Sequence, residues 1–119
     1  MILVDDAPPL RELARLNLEL AGFSVVAEAR DGAGAPDAVA RLQPDVVVLD
    51  IDMPGQTGDE VLPDLLAASR GTRVVVWSSV DTGGMAARVL SLGASAFVRK
   101  IDDVARLVDA VRAAAADPS

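Results

Sequence analysis

The sequence predicts an α/β fold: a single five-stranded parallel sheet with helices on both faces. Short apolar, β-branched runs alternate with longer segments of helical spacing in the order βαβαβαβαβα. Glycines and prolines fall at the boundaries between them. The run Val46-Val47-Val48-Leu49 is broken soon after Asp50 by Pro54-Gly55, and reads as a central strand buried on both faces. Strands that alternate with helices are joined by right-handed crossovers, which make the sheet parallel.

Met1–Val4 is the expected first strand, ending in Asp5-Asp6. Pro8 and Pro9 precede a helix over Leu10–Ala21, stopped by Gly22. Leu10, Leu13, Ala14 and Ala21 share one face of it, with Asn17 near the centre of that face. Leu16 and Leu20 lie off it, as flank packing or as a partner surface. Phe23–Ala29 is the second strand, Arg30–Ala35 a glycine-rich turn, and Pro36–Leu42 the second helix. Gln43-Pro44 leads into the central strand, with Asp50 as its last residue. A third helix follows Gly58 and runs to about Ser69. Pro63 inside it should kink it or delay its start. Arg73–Trp77 is the fourth strand, ending at Ser78-Ser79. Met85–Leu92 is a fourth helix whose first turn should be loose after Gly83-Gly84. Ser95–Val98 is the fifth strand, followed by Arg99-Lys100. Val104, Leu107, Val108 and Val111 then mark the buried face of a last helix. Residues 1–119 read as one domain, with 113–119 as the helix end and a candidate linker stub.

Composition removes several kinds of chemistry. The 119 residues are 51% hydrophobic, enough for one core. No apolar run approaches the roughly 18 residues of a membrane span, and no signal-like segment is present, so a cytoplasmic protein without membrane contact is expected. A net charge of −7 argues against nucleic-acid binding by this domain alone. Cysteine and histidine are both absent, which excludes disulfides, thiolates, Ser-His triads, histidine metal ligands and a phosphohistidine-carrier role. Carboxylates, hydroxyls, lysine and a hard metal remain.

In a parallel sheet the carboxyl ends of all strands share one rim, where ligands of such folds bind. On it stand Asp5-Asp6 after the first strand, Asp50 after the third, Ser78-Ser79 after the fourth and Lys100 after the fifth. Each alone has an ordinary reading as a cap, a turn former or a solvated side chain. Together they make a site. Two like charges about 4 Å apart repel by about 4 kcal/mol at an effective dielectric near 20, so the acids either hold protons or share a cation. An all-oxygen acidic site suits Mg²⁺. With the metal bound, Asp50 can attack phosphorus while Lys100 and the metal absorb charge and Ser78 donates to an oxygen.

These residues resemble those of response-regulator receiver domains, the phosphoacceptors of two-component signalling, over nearly the whole chain. The resemblance rests on Asp5-Asp6, on Asp50 followed by Met53-Pro54 and Gly58, and on Ser78, Phe97 and Lys100. It implies strand order 2-1-3-4-5, a flavodoxin-like fold, and a sensor histidine kinase as phosphoryl donor. It also implies Mg²⁺ bound directly by Asp6, largely through water by Asp5, and by Asp50 and the backbone carbonyl of Asp52. Ser78 and Phe97 become switch residues: the hydroxyl is drawn to the phosphoryl oxygens and the ring fills the vacated space. The face of the fourth helix, fifth strand and last helix then rearranges for a partner or a second copy.

The sequence departs from the family at three points. Ile101 follows Lys100 where proline is usual, and a non-proline cis bond costs roughly 2.5–4 kcal/mol, so the sequence leaves cis or trans open here, and a trans loop would place Lys100 differently. Asp52 adds a negative charge, disruptive if it points inward and inert if outward. The first strand is short, as trimming of the chain would leave it. Two other readings fit in part. Asp50-Ile51-Asp52 has the DxD form of haloacid-dehalogenase-type phosphatases, although Asp5-Asp6 come too early and the chain is short for a cap. A pseudo-receiver would keep the fold as a binding module without phosphorylation. A dinucleotide site is discarded for want of G-x-G-x-x-G.

Overall fold

The computed structural model describes residues 1–53, 55–79 and 83–116. Pro54 of the turn after the central strand and residues 117–119 of the expected tail lie outside the described residues. The elements are β1 (Ile2–Val4), α1 (Pro8–Leu20), β2 (Ala27–Ala29), α2 (Ala35–Leu42), β3 (Val46–Leu49), α3 (Gly58–Ala68), β4 (Arg73–Ser78), α4 (Met85–Ser91), β5 (Ala96–Arg99) and α5 (Val104–Ala116). The strands form one sheet in the order β2-β1-β3-β4-β5, every pair parallel.

Because side chains alternate across a strand, the sheet divides the core into two layers. Ile2, Val4, Val47, Leu49, Val74 and Val76 pack with Val39, Val61, Leu62, Leu65 and Val89 of α2, α3 and α4. Leu3, Val46, Val48, Val75, Trp77 and Val98 pack with Ala14, Leu18, Leu107, Val111 and Ala114 of α1 and α5. All of these are buried, which is why β1, β3 and β4 read as unbroken apolar runs.

Four local expectations are corrected. The buried residues of α1 are Ala14 and Leu18, with Leu10 packed against them. Leu13 is 43% exposed, beside the open Leu16 and Leu20, so the stripe is rotated from the expected one. Strand β2 is shorter than Phe23–Ala29, because its ladder with β1 begins only at the Ile2–Ala27 pair. Phe23 and Val25 still pack against the α1/α5 layer. Asp50 lies just beyond β3, although its N–H donates to the Val4 carbonyl at 2.8 Å as if the ladder continued. Finally, Pro63 does not delay α3, which starts at Gly58 and runs through it to Ala68. Thr57 fixes that start upstream: its N–H and Oγ1 both donate to Glu60 Oε1, at 3.1 and 2.7 Å. The carbonyl that Pro63 crowds, that of Asp59, belongs to the first helical turn.

Two backbone features shape the loops of the rim. A side chain at Gly58 would collide with the Asp50 carbonyl and with the Ile51 Cα, and the Gly58 N–H donates to the Ile51 carbonyl at 2.8 Å. Gly83 and Gly84 have φ of +62° and +76° at the entry to α4, a left-handed region that suits glycine.

Candidate functional site

The rim assembles through backbone bonds that outlast the strands. Asp5 N–H donates to the Ala29 carbonyl at 3.0 Å, and Lys100 N–H to the Ser78 carbonyl at 2.8 Å. With the Asp50–Val4 bond, these hold the first residues after β1, β3 and β5 at one edge.

Asp5, Asp6 and Asp50 each present a carboxylate oxygen within 4.8 Å of the others. Asp5 and Asp50 are 4% and 3% exposed, and Asp6 is half-buried. The Asp5 Oδ1 accepts from the Ala7 N–H at 2.8 Å. Among the described residues its Oδ2 accepts no directed hydrogen bond, but it faces the Lys100 ammonium at 2.7 Å. The same ammonium lies 3.4 Å from Asp50 Oδ1. No peptide bond among the described residues is cis, so the Lys100–Ile101 bond is trans. With this trans loop Lys100 still reaches both acids.

Burial, followed by the charge on Asp5, pushes the Asp50 carboxyl up to about 6; Lys100 and the Asp52 N–H only partly oppose this. That N–H lies 3.3 Å from Asp50 Oδ1. One lysine does not neutralise the cluster. Three hard oxygen donors, with an anion destabilised among them, fit a hard divalent cation.

The other expected site residues divide. Ser78 is fully buried at the end of β4, opposite Arg99 in register. Phe97 is half-buried opposite Val76 and packs against the α2/α3/α4 layer, on the side of the sheet away from Trp77. The Asp52 side chain is exposed and is not among the three converging acids, the outward of the two placements.

Three contacts near the site had no expectation behind them. The Arg11 guanidinium donates to the Asp5 carbonyl at 2.6 Å and pairs with Glu28 at 3.4 Å, bracing the β1–α1 loop. Asp59, in the first turn of α3, accepts from Arg88 of α4 at 2.9 Å. Burial works to raise the Asp59 carboxyl, but the neighbouring Thr57 hydroxyl and the Arg88 guanidinium outweigh it and hold it below its ordinary value. Trp77 lies beneath Lys100, whose Nζ stands 5.1 Å from the ring centroid. Strand parity was the available signal for this last contact, because Trp77 and Ser78 must face opposite ways.

Comparison with known proteins gives a consistent result. The family model described as "Response regulator receiver domain" matches residues 1–112. A chemotaxis protein CheY of Listeria monocytogenes is 32% identical, over 97% of this chain and 97% of its own length. A putative transcriptional regulator of Pseudomonas aeruginosa is 35% identical over 95% of this chain, which spans about half (55%) of that relative's length. Among solved structures, the receiver domain of the putative response regulator NarL from Mycobacterium tuberculosis superposes with a TM-score of 0.89 at 34% identity, covering 98% of this chain and 95% of that one.

Proposed function

The chain belongs to the response regulator receiver domain family, and on that premise we propose that Asp50 accepts a phosphoryl group from the phosphohistidine of a sensor histidine kinase. The observation that carries this reading is the gathering of Asp5, Asp6 and Asp50 within 4.8 Å, with Lys100 Nζ between Asp5 and Asp50. Residues 1–119 are taken as a single receiver domain.

In the transfer, an Asp50 carboxylate oxygen attacks phosphorus. The O–P bond forms as the N–P bond of the donor breaks, and the imidazole nitrogen keeps the bonding pair and takes up a proton from solvent. Little covalent work falls to the protein, so placement and charge dominate. Lys100 stabilises the equatorial oxygens, and the Ser78 hydroxyl donates to one of them. Receiver domains bind Mg²⁺ at an acidic pocket, and here Asp5, Asp6, Asp50 and the Asp52 carbonyl would hold it. When bound, the ion supplies charge neutralisation at the phosphoryl oxygens. The openness of Asp6 and the existing pairing of Asp5 with Lys100 support Asp6 as the more direct ligand.

Movement of Ser78 toward the phosphoryl group and of Phe97 into the space behind it would then alter the α4-β5-α5 face, through which a second copy or another partner is engaged. The DxD phosphatase reading is less well supported, since the Asp52 carboxylate does not join the cluster. Intact-mass analysis after incubation with Mg²⁺ and acetyl phosphate tests the proposal. One added phosphate is expected on the wild type and none on Asp50→Asn; an unmodified wild type refutes it.

A further inference from the structure

The acidic pocket has an aromatic floor. Trp77 is the single tryptophan of the chain, is 2% exposed and belongs to the core layer shared with α1 and α5. In register it pairs with Val98. Lys100 lies just past β5, two residues after Val98, but its N–H still donates to the Ser78 carbonyl at 2.8 Å as if the ladder continued, which keeps its stem on the same side of the sheet as the indole. The ammonium stands 5.1 Å from the ring centroid, inside the range of about 6 Å over which a π face attracts a cation. Two carboxylates and one indole face therefore hold Nζ, and the Lys100 side chain is 7% exposed.

These contacts differ in permanence. Asp50 is the carboxylate that would take the phosphoryl group, and Asp5 belongs to the acidic trio that would surround a divalent cation. An indole face neither titrates nor ligates a hard cation, so it goes on attracting the ammonium while the carboxylates change partners. The next side chain along the loop offers the stem little packing, as Ile101 is 85% exposed. A four-carbon stem with free rotations needs such a hold if its charge is to stay beside Asp50.

We propose that Trp77 is the positioning residue for Lys100, its indole face keeping the ammonium beside Asp50 while the pocket changes occupants. The inference rests on the phosphoacceptor reading of Asp50.

The test uses the full chain with Trp77→Leu, which stays apolar but is smaller and has no π face, and Trp77→Phe, which keeps a smaller one. With acetyl phosphate and saturating Mg²⁺, the phosphorylation rate should fall about tenfold in W77L and only about two- to threefold in W77F. Mg²⁺ affinity by calorimetry should stay within about twofold in both, because no carboxylate is touched. Lys100→Met should shift the Trp77 emission of the unphosphorylated, metal-free protein, a readout independent of activity. The double variant W77L/K100M should be no slower than K100M alone. A wild-type rate in W77L, multiplied effects in the double variant, or emission indifferent to K100M would each overturn the role. Should W77L fail to fold by circular dichroism, the W77F rate decides: slowed supports the role, unchanged overturns it. A wild type that takes no phosphate overturns the phosphoacceptor reading and this role together, whereas a phosphorylated wild type matched by both variants overturns this role alone.

Discussion

Asp5 and Asp50 compete for one ammonium, at 2.7 and 3.4 Å from Lys100 Nζ. The farther carboxylate carries the electrostatic cost, because burial and the charge of Asp5 lift Asp50 to about 6. In the unfolded chain an aspartate releases its proton near its ordinary value of about 3.9. Between those values the folded state holds a proton that the unfolded state has lost. Stability without divalent cations should therefore fall as pH rises from about 4 to about 6, then level off. Allowing for solvent screening, the loss is on the order of 2 kcal/mol. Asp50→Asn should escape it, melting roughly 5–10 °C above the wild type at pH 7.5 and close to it at pH 4. Thermal melts across that pH range, with chelator present, check this.

The same proton competes with a metal. Mg²⁺ affinity should be flat above about pH 6.5 and weaken toward tenfold per pH unit below about 6. Calorimetric titration at several pH values measures it. At a Mg²⁺ concentration about a hundredfold above the dissociation constant, the folded state should gain about 2.7 kcal/mol, visible as a higher melting temperature that chelation reverses.

Gly58→Ala should damage the site without touching any charged group. Its new methyl would meet the Asp50 carbonyl and the Ile51 Cα, both backbone and unable to step aside cheaply. A loss of about 1–3 kcal/mol is expected from such overpacking, read from the denaturant midpoint. Phosphorylation should slow as well, because the strain falls on the peptide that carries Asp50.

Arg88 ties α4 to the first turn of α3 through Asp59. Arg88→Ala should strand a largely buried carboxylate and cost about 1–2 kcal/mol, while Asp59→Leu should cost less or stabilise, since an apolar replacement leaves no charge behind. The Asp59 carboxyl is depressed, so its contribution is present above the ordinary aspartate value and fades as pH drops through the lowered one. Arg88→Ala should flatten that acid limb. Urea melts of the single and double variants at two pH values separate these effects.

The sheet and the convergence of its polar residues were legible in the sequence for one reason: strand ends in a parallel sheet face the same way. Val46–Leu49 and Arg73–Ser78 declare themselves as buried strands, and Asp5, Asp50 and Lys100 follow from where such runs stop. The burial of α1 was not legible. Leu10, Leu13, Leu16, Leu18 and Leu20 allow several stripes, and contact with α5 selects the one through Ala14 and Leu18. The direction of Asp52 was open because alternation lapses once a strand ends. Asp59–Arg88 joins residues 29 apart, a pairing that no local pattern announces. For α3, Pro63 suggested a boundary that the Thr57–Glu60 cap overrides.

The two-layer core sets what kinds of sequence change the chain can survive. Losing one residue within β3 would reverse the facing of every strand residue on one side of the gap, sending their methyl groups to the wrong neighbours. It would also draw Asp50 back from the edge where its charge is needed. A length change in the Arg30–Gly34 turn would leave the strand facings untouched, although Gly32 within it packs closely against Val61. Substitution should be the tolerated mode of drift in the strands, and insertion or deletion should be confined to the connections between them.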